Sequence, residues 1–195
     1  MFTISPCAAG CGRPAISGSN ICFIHQAQPE QEIRRVSEYI TQNKTIKDLC
    51  VPGMRFENID FSERKFYGCN FRDTAFTKCT LSKTVMRMCF FDFANFNGCD
   101  FSKSDLQFLS FAGARFRSCT FEGSELLHAN FLGATVFQTS FSNSNLYNSR
   151  FINAELEDSK FIDCNLKRTY FISAHEKEIV FKSSNTAEAV FELEE

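Results

Sequence analysis

GCNFRDTAFTKCTLSK, residues 68–83, sets Phe71, Phe76 and Leu81 five residues apart. A strand repeats every two residues and an α-helix every 3.6. In a flat strand five is odd, so Phe71 and Phe76 would face opposite sides. In a helix five residues advance about 500°, and the stripe would smear around the axis. Both side chains face inward only if the chain turns a corner within each unit. The spacing therefore predicts a coil with short extended sides, a turn at each corner, and large and small side chains inside. Successive coils would stack at ~4.8 Å, the spacing of paired strands, each bonded to the next through its backbone.

The period is sustained. From Phe56 to Phe171 every fifth position is apolar: 16 Phe, six Leu, Met86 and Val136 fill the 24 places. No phase slip interrupts it, so no loop is inserted. The position two before each is mostly Cys, Thr, Ser or Ala. Leu109 is the large exception, and Met54, Ile59 and Arg64 mark an irregular start. The position two after is rich in Gly, Asn and Asp, residues that favour turns and tolerate positive φ.

SerAspLeu at 104–106, AlaAsnPhe at 94–96 and 129–131, and CysAsnLeu at 164–166 resemble the A(D/N)LXX motif of the pentapeptide-repeat family. The resemblance covers residues 54 to 174. It implies an all-β fold, a right-handed quadrilateral parallel β-helix of four pentapeptides per coil and about six coils. Four segments are expected: a zinc knuckle at 1–27, a capping helix and lead-in at 28–53, the β-helix at 54–174, and a C-terminal cap or dimerisation tail at 175–195.

The ends need covers, because a solenoid's terminal coils expose apolar surface and open edges. Ile33, Val36 and Ile40 in QPEQEIRRVSEYITQN, residues 28–43, follow helical spacing and predict an amphipathic helix over the first coil. Ile46 and Val51 already keep the five-residue phase. After Phe171 the phase breaks at Glu176, and Ser184 or Asn185 is placed to cap a short final helix. In the quinolone-resistance members of the family the C-terminal end forms a dimer. The resemblance thus implies a homodimer through Phe181, Val190, Phe191 and Leu193; the alternative is a tail folded over its own last coil.

Residues 7–25 read CAAGCGRPAISGSNICFIH. Cys7 and Cys11 form one close pair, Cys22 and His25 a second, with Gly10, Gly12, Pro14 and Gly18 supplying turns. Two close pairs are what a tetrahedral Zn²⁺ site uses, and four protein ligands point to a structural role. Of the ten cysteines, six lie instead at the small inward position of the repeat, where Cys acts as a small hydrophobe. The N-terminus has neither the basic nor the apolar region of a secretory signal, which predicts a reducing cytoplasm without disulfides.

Net charge is −2 and no apolar run approaches the length of a membrane span. Phosphate loops, dinucleotide glycine patterns and nucleophile elbows are all missing, so the expectation is a protein that is not an enzyme. Residues 1–27 carry one basic residue, Arg13, too few for phosphate binding, and nucleic acid is an unpromising partner. Some family members mimic DNA and bind gyrase. Residues 54–174 hold 14 Lys/Arg and 13 Asp/Glu, which is not the acidic surface of a mimic. On a twenty-residue coil, outward Met88 and Phe108 stack in one column with Leu127 beside it, and Leu132, Ile152 and Ile172 in another. A contiguous apolar patch marks a partner site. The reading is a non-catalytic scaffold that binds a protein partner. A gyrase or topoisomerase modulator and a zinc-dependent nucleic-acid binder are the alternatives.

Overall fold

The computed structural model describes residues 5–192. A helix, α1 (Pro29–Gln42), precedes ten three-residue strands: β1 (Thr45–Lys47), β2 (Arg55–Glu57), β3 (Lys65–Tyr67), β4 (Ala75–Thr77), β5 (Val85–Arg87), β6 (Asn95–Asn97), β7 (Arg115–Arg117), β8 (Thr135–Phe137), β9 (Glu155–Glu157) and β10 (His175–Lys177). Every pairing is parallel and joins residues twenty apart, as in Phe56 with Phe76 and Phe76 with Phe96. The chain is thus a four-sided β-solenoid of about seven turns.

The four sides follow one another around each turn. The first carries β1, β3 and β5, then single bridges such as Asp105 to Glu125. The second is built of bridges from Cys50–Asn70 to Tyr170–Val190, and the fourth of bridges from Asp60–Thr80 to Lys160–Val180. The third is the seven-stranded sheet from β2 to β10. Backbone bonds link the turns at every level, for example Phe111 N to Asn130 O at 2.7 Å and Asn130 N to Leu109 O at 2.9 Å.

The corner residue two after each inward position turns the chain with φ near +50° to +60°, as at Lys78 (51°), Asn143 (60°) and Asp163 (53°). An L side chain pays about 1–2 kcal/mol there, least for Asn and Asp, nothing for Gly. None of the corner residues is β-branched, as the steric argument requires.

Inside, three Phe ladders run along the rod, one of them Phe56, Phe76, Phe96 and Phe116 at 4.9–5.4 Å. Phe71, Phe91, Phe111, Phe131, Phe151 and Phe171 stack at 4.5–5.3 Å between centroids. Phe101, Phe121, Phe141 and Phe161 stack at 4.6–4.9 Å. The ladders meet edge to face, as at Phe141 and Phe151, 5.6 Å and 89°. Both arrangements suit the ring quadrupole. A Trp would bring an N–H into this core with nothing to bond, which accounts for 24 Phe and no Trp. Where the small inward residue is Ser, Thr or Cys rather than Ala, it is a buried donor. Ser124 Oγ donates to Phe101 O at 2.7 Å and Ser149 Oγ to Leu126 O at 2.6 Å. Cys99 Sγ donates to Phe76 O at 3.4 Å in the same way. Ser, Thr and Cys are therefore interchangeable there.

The coil reaches past the 54–174 expected from the sequence at both ends. It begins at Thr45. At the other end Glu176 takes an inward position in β10, yet Phe181 stacks on Phe161 at 5.4 Å and Phe191 on Phe171 at 5.2 Å. The tail is one more turn, and six coils become about seven. The expected final helix is a short 3₁₀ turn, Thr186–Glu188, whose preceding Asn185 accepts a bond from Leu166 N at 2.6 Å.

At the start, Val36 and Ile40 of α1 are buried against the first turn. Arg64, out of pattern at a small inward position, sends its guanidinium to Ile40 O (3.3 Å) and Thr41 O (2.8 Å). It satisfies carbonyls that the helix C-terminus leaves unpaired.

Candidate metal centre and apolar face

The N-terminal segment folds as a knuckle around its four metal-binding candidates. Pro6 pairs with Pro14, and Cys7 N donates to Arg13 O at 2.9 Å, closing a tight hairpin that carries Cys7 and Cys11. A 3₁₀ turn at Phe23–His25 brings His25 back to Cys22. Cys7 Sγ lies 3.3 Å from His25 Nδ1, Cys11 Sγ 3.7 Å from Cys22 Sγ, and Cys22 Sγ 3.6 Å from His25 Nδ1. All four ligand atoms fall within 4.8 Å of one another. Zn–S near 2.3 Å and Zn–N near 2.0 Å imply tetrahedral edges of about 3.5–3.8 Å. The donor set and the spacing fit a metal ion bound by three sulfurs and one imidazole nitrogen.

The electrostatics favour thiolate at Cys7. Its hydrogen bond with His25, then the Cys22 backbone N–H at 3.2 Å, bring its thiol down to about 6. Burial raises Cys22. The knuckle is docked on the rod: Ser17 N donates to Cys50 O and Cys50 N to Ser17 Oγ, both at 2.8 Å, while Ile16 is buried in the rod's core. It closes the open edge of the second side at the first turn.

The outward candidates gather on and beside that second side. Met88, Phe108 and Leu132 are exposed, at 65%, 58% and 44%, and Leu127, Ile152 and Ile172 are half-buried. Met88 and Phe108 stand on the corner that enters this side. The Phe108 ring is stacked on that of His128 at 4.8 Å, and Asn148 Nδ2 lies 2.7 Å from His128 Nδ1. Leu132, Ile152 and Ile172 form a column across the side. Phe93, 63% exposed, stands on the far corner, where its ring lies over Gly113; a Cβ there would come within 2.6 Å of it.

The backbone gives these positions a cost. Met88 (φ 53°), Phe93 (59°) and Phe108 (59°) all occupy left-handed corners, where Gly or Asn costs less. Three large apolar side chains are thus exposed at positions that oppose them on both counts.

The dimerisation candidates lie in the last turn. Phe181 and Val190 are half-buried and Phe191 is 38% exposed. Leu193 lies outside the described residues. Among the described residues no helix is long and apolar enough to cross a membrane.

A parallel solenoid with a twenty-residue turn and Phe or Leu at its inward centre defines the class. The description "pentapeptide repeat region" matches residues 53–131 and 114–191, and the chain belongs to the pentapeptide-repeat family. Among solved structures it is similar to HetL, a pentapeptide repeat protein involved in heterocyst differentiation regulation from the cyanobacterium Nostoc, with TM-score 0.51, 12% identity, and 80% of this chain and 95% of that one covered. A pentapeptide repeat protein of the Arabidopsis thaliana thylakoid lumen is 27% identical over 47% of this chain and 61% of that one, with TM-score 0.38. QnrB1, a plasmid-mediated fluoroquinolone resistance protein, is 18% identical over 75% of this chain and 80% of that one, with TM-score 0.33. No curated protein matches the sequence.

Proposed function

We propose that the protein is a non-catalytic interaction scaffold that holds a protein partner against the second side of the rod. The observation that carries this reading is the placement of Met88, Phe93 and Phe108, large, apolar and exposed on corners that favour Gly or Asn. Fold stability does not account for them, and a desolvated contact with a partner does. Leu127, Leu132, Ile152 and Ile172 extend the contact along the rod. The test compares wild type with Met88→Glu/Phe108→Glu in nuclease-treated pull-downs from the source cells. Partners held by wild type are expected to be lost from the variant while its thermal unfolding is unchanged.

The knuckle is assigned a structural Zn²⁺ bound by Cys7, Cys11, Cys22 and His25, supported by the four converging ligand atoms. Its work is to hold the cover of the first turn in place. A homodimer through the last turn is a second, separate reading. It is supported by Phe191, 38% exposed at the open end of the ladder, and sedimentation of wild type against Phe191→Glu tests it. Cytoplasmic residence accords with ten cysteines that form no disulfide among the described residues. A gyrase-directed role through DNA mimicry fits poorly, since residues 54–174 carry 14 basic and 13 acidic side chains.

A further inference from the structure

Over its middle five turns the second side also differs from the opposite side in charge. Its outward positions from Met88 to Ser173, twenty in all over five turns, include one carboxylate, Asp92. That carboxylate is only 5% exposed, bonded by Arg72 Nε at 2.7 Å and by the Ser110 hydroxyl. The equivalent twenty positions of the opposite side, from Gly98 to Ser183, include five: Asp100, Glu122, Asp158, Asp163 and Glu178. Two arginines, Arg150 and Arg168, both exposed, stand beside the Leu132–Ile152–Ile172 column and form no ion pair among the described residues; Glu188, one turn beyond Arg168, is bound by Lys167 at 3.3 Å. Apolar columns and unopposed guanidinium groups therefore share one surface.

The backbone restricts what can bind there. The lateral N–H and C=O groups are used between turns, as in Phe131 N to Arg150 O at 2.7 Å and Phe151 N to Tyr170 O at 2.7 Å. Strand addition needs unpaired edge groups, and a solenoid has those only at its ends. A lateral partner must then bind through side chains. Five turns of rod span ~24 Å at ~4.8 Å each, close to the ~27 Å of five turns of α-helix. Self-association through this surface would bring Arg150 and Arg168 toward their own copies, and the one carboxylate of these five turns, Asp92, is already bound by Arg72.

We infer that the second side receives an acidic amphipathic helix of another protein, its apolar stripe on Phe108, Leu132, Ile152 and Ile172 and its carboxylates on Arg150 and Arg168. The inference rests on the scaffold reading and names the class of partner. Nucleic acid is the competing polyanion, but two arginines neutralise too few phosphates to hold it, and an aliphatic column offers no stacking platform.

A phage-displayed library of amphipathic helices of about five turns, with Leu on one stripe and Glu, Gln or Lys varied opposite, tests it on the full-length protein. Selected sequences are expected to be Glu-rich, to lose at least tenfold in affinity against Arg150→Gln/Arg168→Gln, and to lose all binding against Ile152→Asp. Thermal unfolding of both variants establishes that they are folded. Gln- or Lys-rich winners that still need Ile152 would overturn the acidic partner and leave the scaffold reading standing. Winners indifferent to Ile152 and Phe108, or no winners, would overturn both. Arginine-dependent binding of a single-stranded oligonucleotide to this side, displacing the helices, would also overturn the acidic helix.

Discussion

The Phe108 and His128 rings, one turn apart on the outside of the rod, lie parallel at 4.8 Å and 6°, while Phe111 and Phe131 do the same inside at 5.1 Å and 18°. The two stacks are nearly alike in geometry and differ in what surrounds them. Phe111 is fully buried and Phe108 is 58% exposed. Phe111→Ala leaves a cavity between turns and is expected to cost about 3–5 kcal/mol. Phe108→Ala loses one exposed stack and keeps the Cβ on its left-handed corner, so its expected cost is below about 1 kcal/mol. Urea unfolding of the two variants checks the contrast.

Metal removal should act on one end of the molecule. Wild type is expected to carry one zinc per chain by elemental analysis, and Cys22→Ser none. The knuckle has few buried apolar side chains of its own, chiefly Ala15 and Ile16. Without metal it is expected to exchange its amide hydrogens rapidly over residues 7–25, while the Phe71–Phe171 ladder stays protected.

The buried thiols should be inert. The neighbouring Cys119 thiol and burial push Cys99 up to about 12, and Cys79 and Cys69 are raised as well, while the partner thiols lower Cys89 and Cys119. It is therefore near-complete burial that withholds all six from a reagent and partial exposure that opens Cys50. In native protein a thiol reagent is expected to modify Cys50 and, after chelation, the knuckle cysteines. Cys69, Cys79, Cys89, Cys99, Cys119 and Cys164 should react only on unfolding, which peptide mapping resolves.

Glu176 makes the last turn sensitive to pH. Partial burial raises its carboxyl above the usual value of 4.5. A carboxyl raised in the folded state contributes stability that is present below the unfolded value and lost as pH rises through the folded one. Glu176→Gln should remove the loss of stability that accompanies ionisation above the ordinary carboxylate value, and Glu176→Leu should raise stability at neutral pH.

Much of this architecture is legible in the sequence because every turn repeats one steric problem. The inward Phe or Leu, the small donor before it and the Gly or Asn after it each answer a local requirement. Cys7, Cys11, Cys22 and His25 were legible because metal spacing is also local. The last turn was hidden by Glu176, a single charged residue in an inward position, although Phe181 and Phe191 keep the phase beyond it. Arg64 looked like an error of pattern, because its partners are carbonyls at the end of α1, more than twenty residues away. The exposure of Met88 and Phe108 could be guessed from their columns. That they sit on left-handed corners follows from the five-residue phase, and it is the sharper signal.

The most direct measurement is a quantitative pull-down with wild type and folded Met88→Glu/Phe108→Glu, in nuclease-treated lysate of the source cells. The account predicts a discrete set of proteins on wild type that is absent from the variant. The same proteins at the same recovery on both would contradict it.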